Sequence, residues 1–438
     1  MKTVIMAGGK GTRISSLFSD IPKPMIKIEG IPVLEREIEC LRSQGFDDII
    51  ITVSHLSDVI IDYFGDGSKI SPVTGKPFGV RIEYFVEEKP LGNAGALFKL
   101  RNKLSDEFLL LNADAVFDID FNRFVDFHRS HHGLVSIFTH PNSHPYDSGL
   151  IVASGDHKVE AWLSKEDNRP IYYHNRVNAG LHVMNVKILD QSGINADEIG
   201  TEHTDGKIVK VDLDRQLLKP LASTGMMYCY DSPEYVKDMG TPERFVSVER
   251  DFKNGVVQAK NLRTKQKAIF LDRDGTINKY IGFLRHLDEF ELIAEVAEAI
   301  RMINESGYLA IVVTNQPVIA RGEVTFEQLD DIHKKMETLL GKEGAYIDGL
   351  YFCPHHPDKG FDREVAELKI DCDCRKPKPG MLFKAAEEYN IDLSLSYMIG
   401  DSEIDIIAGT RAGCKSILIQ QNQRGQLIDA VKKIIQQS

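Results

Sequence analysis

The chain has 438 residues, too many for one small domain and, at about 100 to 200 residues per domain, enough for two or three with separate cores. Hydrophobic residues make up 42% and charged residues 27%, an ordinary globular balance that excludes disordered, collagen-like and coiled-coil chains. Lys and Arg number 53 against 65 Asp and Glu, a formal net charge of −12, so no cation surplus drives nucleic-acid binding and phosphate ligands must be held locally. The first predicted strand, Thr3–Ala7, runs at once into Gly8, Gly9, Lys10 and Arg13, which is too short and too early-charged for a signal peptide. Strands are expected next at 49–53, 80–86, 108–111 and 134–138. Between the first two, Leu34, Ile38 and Leu41 mark one face of a helix over 33–43, with Pro32 near its start and Gly45 past its end. A second α/β pattern opens with a strand at 268–271. A helix carrying Val296, Ala299, Ile300 and Ile303 follows, then a strand at 309–313. Residues 253–267 hold five basic and no acidic side chains and read as a solvated linker. No apolar run approaches the ~20 residues of a membrane span.

Gly8-Gly9-Lys10-Gly11-Thr12-Arg13 follows the first strand directly, where backbone N–H groups can cradle phosphate oxygens. Lys10 lies between glycines, unlike the lysine of a Walker loop, and Ile14 stands where a dinucleotide fingerprint needs its third glycine. Alone, such a run is as well explained by a structural turn. Five later motifs change that: Pro22-Lys23-Pro24-Met25, residues 90–95 (PLGNAG), Asn112-Ala113-Asp114, Asn178-Ala179-Gly180 and residues 238–242 (DMGTP). In this order they resemble the motifs of sugar-1-phosphate nucleotidyltransferases over about residues 1 to 250. The resemblance implies that Gly8, Gly11 and Thr12 hold a nucleoside triphosphate, with Gly92, Asn112, Asn178 and Gly180 in the nucleotide and sugar pocket. Arg13 and Lys23 then offset phosphate charge, and Asp114 and Asp238 share Mg²⁺. Such chemistry is mainly positioning and charge neutralisation. Lys165 is either a grip on the sugar phosphate or a plain surface lysine. Ser16 and Asn93 depart from the usual proline and Thr or Ser.

Asp272-Arg273-Asp274-Gly275-Thr276 emerges from the strand 268–271 at the end where open α/β sheets bind ligands. By itself it could be an Asx turn or part of a calcium loop. Thr314-Asn315, Arg375-Lys376-Pro377 and Gly400-Asp401-Ser402-Glu403-Ile404-Asp405 follow. The four together resemble the motifs of the haloacid dehalogenase superfamily of phosphatases over roughly 265 to 438. The resemblance implies that Asp272 is the nucleophile, that Asp274 is the general acid and base, and that Asp401 completes a Mg²⁺ site with Asp272 and Asp274. Thr314, Asn315 and Lys376 would hold phosphoryl oxygens, and Arg375 would hold the phosphate that stays on a bisphosphate. Glu403 and Asp405 are either outer neighbours of the metal or charges favourable to a helix N-terminus, the latter being preferred.

The six cysteines are too few for a disulfide scaffold, but Cys353 and His355, then Cys372 and Cys374 after sixteen intervening residues, match a closed structural Zn²⁺ site. His356 reads as a neighbour of that site. Only 40 positions separate Asp274 from Thr314, leaving no room for a cap domain. This zinc loop and the run Cys374-Arg375-Lys376-Pro377 most resemble the D-glycero-D-manno-heptose-1,7-bisphosphate phosphatases, with histidinol-phosphate phosphatases as near relatives. Pro317-Val318 departs from the Ser-Gly usual there.

Removing the C7 phosphate of a heptose bisphosphate leaves a 1-phosphate, which a nucleotidyltransferase can use, whereas histidinol has no such successor. The expected protein is therefore α/β and bifunctional. A Rossmann-like nucleotidyltransferase fold spans 1–252, a linker 253–267, and a capless haloacid dehalogenase-like phosphatase fold 268–438. The expected product is GDP-D-glycero-α-D-manno-heptose, made from GTP with release of pyrophosphate; guanine rests on resemblance alone. Small-molecule substrates, a cytoplasmic location, and no nucleic-acid or membrane partner are expected, with homo-oligomerisation left open. Two rivals are a phosphatase for another sugar bisphosphate or histidinol phosphate, and an inactive regulatory or scaffold protein. The second is disfavoured because Asp114, Asp238, Asp272, Asp274 and Asp401 are all carboxylates.

Overall fold

The computed structural model describes residues 1–9, 21–202 and 205–437. These form two compact units: Met1–Thr139 with Ile151–Leu163 and Asn178–Val257, and His140–Leu150 with Ser164–Val177 and Gln258–Ser438.

In the first unit, the strand Lys2–Met6 lies between Asp48–Val53 and Glu107–Asn112, parallel to both. Arg81–Val86 extends the sheet in parallel, and Val177–Asn185 adds an antiparallel strand against Glu107–Asn112. Val4, Ile5, Ile49, Ile51 and Leu109 to Leu111 have essentially no exposure, the continuous apolar runs of strands covered on both faces. The helix Val33–Arg42 lays the expected stripe of Leu34, Ile38 and Leu41 into this core. Because the central strands run together, residues 7–8, 54 and 112–114 gather at one edge of the sheet.

The second unit has a five-stranded parallel sheet in the order Gly349–Cys353, Tyr308–Asn315, Lys267–Leu271, Tyr397–Gly400, Lys415–Leu418. From the central strand Lys267–Leu271 the chain steps outward to Tyr308–Asn315 and Gly349–Cys353, then crosses to Tyr397–Gly400 on its other side, so its carboxyl end is a topological switch point where a crevice opens. Only a short 3-10 turn, the helix Val296–Asn304 and irregular chain lie between Asp274 and the strand Tyr308–Asn315, so no further domain is inserted there. Among the described residues no helix is long and apolar enough to cross a membrane.

The sequence differs from the structure at 253–267, read as a solvated linker. Val256 and Val257 pack into the first unit's core, while Lys260 is 3% exposed with Nζ 3.6 Å from Asp348 Oδ1 in the second. Basic composition suggested solvent, but a buried carboxylate distant in sequence compensates Lys260. Segments 140–150 and 164–177, which come from the first half of the sequence, group with the second unit. His174 Nδ1 lies 2.8 Å from Glu337 Oε1 and Nε2 lies 2.9 Å from Asp330 Oδ1, both carboxylates on the helix Phe326–Lys342.

Candidate active sites

The first unit carries a cleft of about 950 Å³ at the sheet edge, lined by Gly8, Lys23, Gly92, Asn112, Asp114 and Lys210 among others. Lys23, 9% exposed in a 3-10 turn, places Nζ 2.7 Å from Asp114 Oδ2. The strands Ala115–Asp118 and Tyr235–Asp238 pair antiparallel with Asp238 opposite Ala115, which brings Asp238 beside Asp114. Two hard carboxylates, one ending a strand and one in the turn just before its partner strand, fit Mg²⁺. Arg244 is also present, its Nη1 donating to both oxygens of Asp238 at 2.8 and 2.7 Å, a positive charge beside any ion that Asp238 would hold. Burial alone would raise the Asp238 pKa, but Arg244 and the N–H of Gly240 hold it below the usual carboxylate value.

Asn178-Ala179-Gly180 meets this cleft through Asn112. Gly180 has φ +75°, and a Cβ there would collide with the Asn112 side chain, so glycine is what lets the strand Val177–Asn185 lie against Asn112. Asn93 Oδ1 accepts from Leu213 N at 2.7 Å, so this departure from the usual residue caps a backbone group. Lys165 is half exposed and ion-paired with Asp147. Lys10, Gly11, Thr12, Arg13 and Ser16 lie outside the described residues. Sequence reasoning missed Arg244, Lys210 and Glu37. Glu37 is 1% exposed with neither carboxylate oxygen hydrogen-bonded, and burial, then the Asp114 charge, push its pKa well above the ordinary value. Its place within an amphipathic helix pattern gave no signal. Arg244, six positions after Asp238 in a helix's first turn, could have been found.

The second unit opens a cleft of about 280 Å³ at the end of its central strand, lined by Asp272, Asp274, Thr314, Asn315, Arg375, Lys376 and Asp401 among others. Lys376, 2% exposed, places Nζ 2.7 Å from Asp272 Oδ1 and 2.6 Å from Asp405 Oδ1. Burial pushes the Asp272 pKa up, against the pull of Lys376. Asn315 positions this lysine: its Nδ2 donates to Lys376 O and its Oδ1 accepts from Lys376 N, both at 3.0 Å. Thr314 Oγ1 accepts from Gln316 Nε2 at 2.8 Å.

Asp274 is expected beside the metal, but its carboxylate is taken up elsewhere. Arg273, wholly buried, reaches both oxygens at 2.9 Å, Gln316 Nε2 lies 2.8 Å from Oδ2, and Asn278 Nδ2 lies 3.0 Å from Oδ1. Burial would raise the Asp274 pKa, but Arg273 with the two amides holds it low, so this arrangement is the ionised one and Asp274 must first gain a proton before it can act as an acid. The carboxylates whose oxygens converge within 4.8 Å are Asp272, Asp401 and Asp405, an all-oxygen set that fits Mg²⁺. Asp405 belongs to this group, and its Oδ2 also accepts from the Ser402 hydroxyl at 2.7 Å in the capping box of the helix Glu403–Ala412.

Beside this cleft, Cys353, His355, Cys372 and Cys374 converge, their ligand atoms within 4.8 Å of one another. Cys374 Sγ lies 3.2 Å from the sulfurs of Cys353 and Cys372, and 3.3 Å from His355 Nδ1. These separations exceed an S–S bond and are close to the edges of a tetrahedron around one ion. His356 Nδ1 instead accepts from Asp358 N at 3.2 Å, which leaves it a neighbour of the group.

The family described as Nucleotidyl transferase matches residues 2–255, and HAD-hydrolase-like matches 373–432. The chain is 47% identical over 145 residues to a D-glycero-beta-D-manno-heptose-1,7-bisphosphate 7-phosphatase of Yersinia pestis, covering 33% of this chain and 75% of the relative. It is 38% identical over 169 residues to the Haemophilus ducreyi protein of the same name, covering 38% and 90%. Among solved structures, HddC from Yersinia pseudotuberculosis is 26% identical at a TM-score of 0.45, covering 57% of this chain and 99% of HddC. The D,D-heptose 1,7-bisphosphate phosphatase from B. bronchiseptica, complexed with magnesium and phosphate, is 30% identical at a TM-score of 0.35, covering 40% and 100%. The chain belongs to the nucleotidyl transferase family through its first half and to the D-glycero-D-manno-heptose-1,7-bisphosphate phosphatase family through its second, a fusion of two enzymes.

Proposed function

We propose that this chain makes a nucleotide-activated heptose in two consecutive steps, with phosphatase chemistry carried by 268–438 and transferase chemistry by 1–252. The observation that carries the reading is that each compact unit has its own cleft pairing a buried lysine with a carboxylate, Lys376 with Asp272 and Lys23 with Asp114. In the phosphatase cleft the Asp272 carboxylate attacks the C7 phosphorus and the bond to the C7 oxygen breaks. Asp274 gives that oxygen a proton, then takes one from the water that cleaves the aspartyl phosphate. Lys376, Thr314 and Asn315 hold the phosphoryl group. In the transferase cleft a heptose 1-phosphate oxygen attacks the α-phosphorus of GTP and pyrophosphate leaves, with Lys23 and Arg13 offsetting charge. Mg²⁺, held by Asp114 and Asp238 in one cleft and by Asp272, Asp401 and Asp405 in the other, would supply charge neutralisation. Zn²⁺ at Cys353, His355, Cys372 and Cys374 would be structural.

GTP is assigned from the resemblance of the first half to heptose-1-phosphate guanylyltransferases, and the α anomer from the expected product. The phosphatase relatives carry the β anomer in their names, so both anomers belong in the assay. A cytoplasmic location suits three neighbouring thiols kept reduced. The test separates the two activities. Asp272→Asn should abolish phosphate release from heptose 1,7-bisphosphate while pyrophosphate release from GTP and heptose 1-phosphate continues, and Asp114→Asn should do the reverse. Loss of both reactions in either folded variant overturns the two-site reading.

A further inference from the structure

Outside both clefts, His157, Cys229 and Asp231 of the first unit bring their ligand atoms within 4.8 Å of one another. The strand Met227–Asp231 supplies two of them, since Cys229 and Asp231 are two residues apart and leave it on the same face. Parallel pairing sets Asp231 opposite Thr139, whose Oγ1 donates to Asp231 Oδ1 at 2.6 Å. That bond orients the carboxylate and presents Oδ2 to His157 Nδ1, 4.0 Å away.

His157 comes from the turn before the strand Val159–Leu163 and has left-handed backbone, φ +65°. Its peptide is fixed on both sides: His157 N donates to Ser154 O at 3.0 Å, and Cys229 N donates to His157 O at 2.9 Å. The peptide bearing the imidazole is thus bonded to the peptide bearing the thiol. The ring stands edge-on to Phe127 at 5.5 Å. Cys229 has no solvent exposure, whereas the His157 and Asp231 side chains are 45% and 33% exposed. The thiol closes the inner side of the group and leaves an outer side open to water.

We propose that His157, Cys229 and Asp231 form a second metal site, separate from the cysteine-rich one, that takes a zinc-like divalent transition ion with water as fourth ligand. One thiolate, one imidazole and one carboxylate suit such an ion and not Mg²⁺, which prefers an all-oxygen set. Metal–ligand bonds of about 2.0 to 2.3 Å place ligand atoms roughly 3.3 to 3.8 Å apart, with nitrogen and oxygen at the short end, so the histidine and aspartate need to close by about 0.7 Å. Binding releases the thiol proton, and thiolate with carboxylate then neutralises the ion. The bound ion ties the 154–157 turn to the strand Met227–Asp231 and stabilises the first unit.

The test counts metal on the full chain. Wild type, His157→Ala and Asp231→Asn are saturated with Zn²⁺, desalted and assayed for zinc per chain, then reloaded with Co²⁺ for absorption spectra. Each variant, altered at an exposed side chain, should carry one zinc fewer than wild type and lose one set of thiolate-to-cobalt bands. Unchanged zinc content and an unchanged cobalt spectrum in the folded variants overturn the proposal, whatever the occupancy of the cysteine-rich site.

Discussion

A Cβ on Gly275 would overlap Asp401 Oδ2, so the turn after Asp274 can approach the acidic strand end only because this residue has no side chain. Its φ of +91° adds a second requirement for glycine. Gly275→Ala should push Asp401 away from Asp272 and lower phosphate release by about 100-fold, the scale expected for a displacement near 1 Å. Pyrophosphate release should stay at the wild-type rate. A phosphatase within two-fold of wild type would show that Asp401 does not need this approach.

On the proposed Mg²⁺ site, Arg244 would compete with the ion for Asp238, because both oxygens accept from Nη1. Arg244→Ala should therefore lower the Mg²⁺ concentration that gives half-maximal pyrophosphate release by roughly 3- to 10-fold, the scale of one charge-assisted hydrogen bond. A titration showing an unchanged or higher requirement would assign Arg244 to the substrate and not to metal competition.

How much of this was legible in the sequence depends on the range of the interaction. The strand ends, the stripe of Leu34, Ile38 and Leu41, and the order of the acidic motifs are local patterns, and element bounds fell within about two residues. Arg273 was given no role because, although it adjoins Asp274, its second contact is distant: Nη1 lies 3.1 Å from His333 Nε2 on a helix 60 positions away. The burial of Lys260 by Asp348 and the grouping of 164–177 with the second unit likewise depend on charge pairs that no short window contains.

His174 supplies a pH dependence. Burial alone would lower its pKa, but Glu337 and Asp330 outweigh this and raise it to about 10, against about 6.5 in an unfolded chain. A raised folded pKa stabilises fully below about pH 6.5, and the stabilisation fades as pH rises toward 10. His174→Gln should therefore lose stability relative to wild type at pH 6, with the difference shrinking by pH 10. Urea midpoints across that range measure it, and a difference that does not vary with pH would remove the charged imidazole from the account.

Cys372→Ser should remove zinc from the cysteine-rich site and destabilise the second unit, since binding free energy at a closed site is also folding free energy. A loss of about 3 kcal/mol would lower the melting midpoint by roughly 6 to 12 °C for a unit of this size. Elemental analysis that finds wild-type protein without zinc before any chelator treatment would contradict the structural assignment.

The cysteine-rich loop also places a side chain in the phosphatase cleft. Arg375 follows Cys374 directly, its Nη1 lies 3.3 Å from His355 O, and it lines the cleft beside Lys376. Lys376 sits between Asp272 and Asp405, at the phosphoryl group that is transferred, so we propose Arg375, with a planar fork suited to phosphate, as the cation that holds the phosphate that remains on a bisphosphate. Arg375→Ala should then reduce kcat/KM for heptose 1,7-bisphosphate by about 10- to 100-fold, the worth of one or two charge-assisted bonds, while hydrolysis of a simple phosphomonoester changes little. The loss should appear mainly in KM, because the remote phosphate is bound alike in ground and transition states. Equal losses on both substrates would mean that Arg375 supports the cleft's shape and does not recognise the second phosphate.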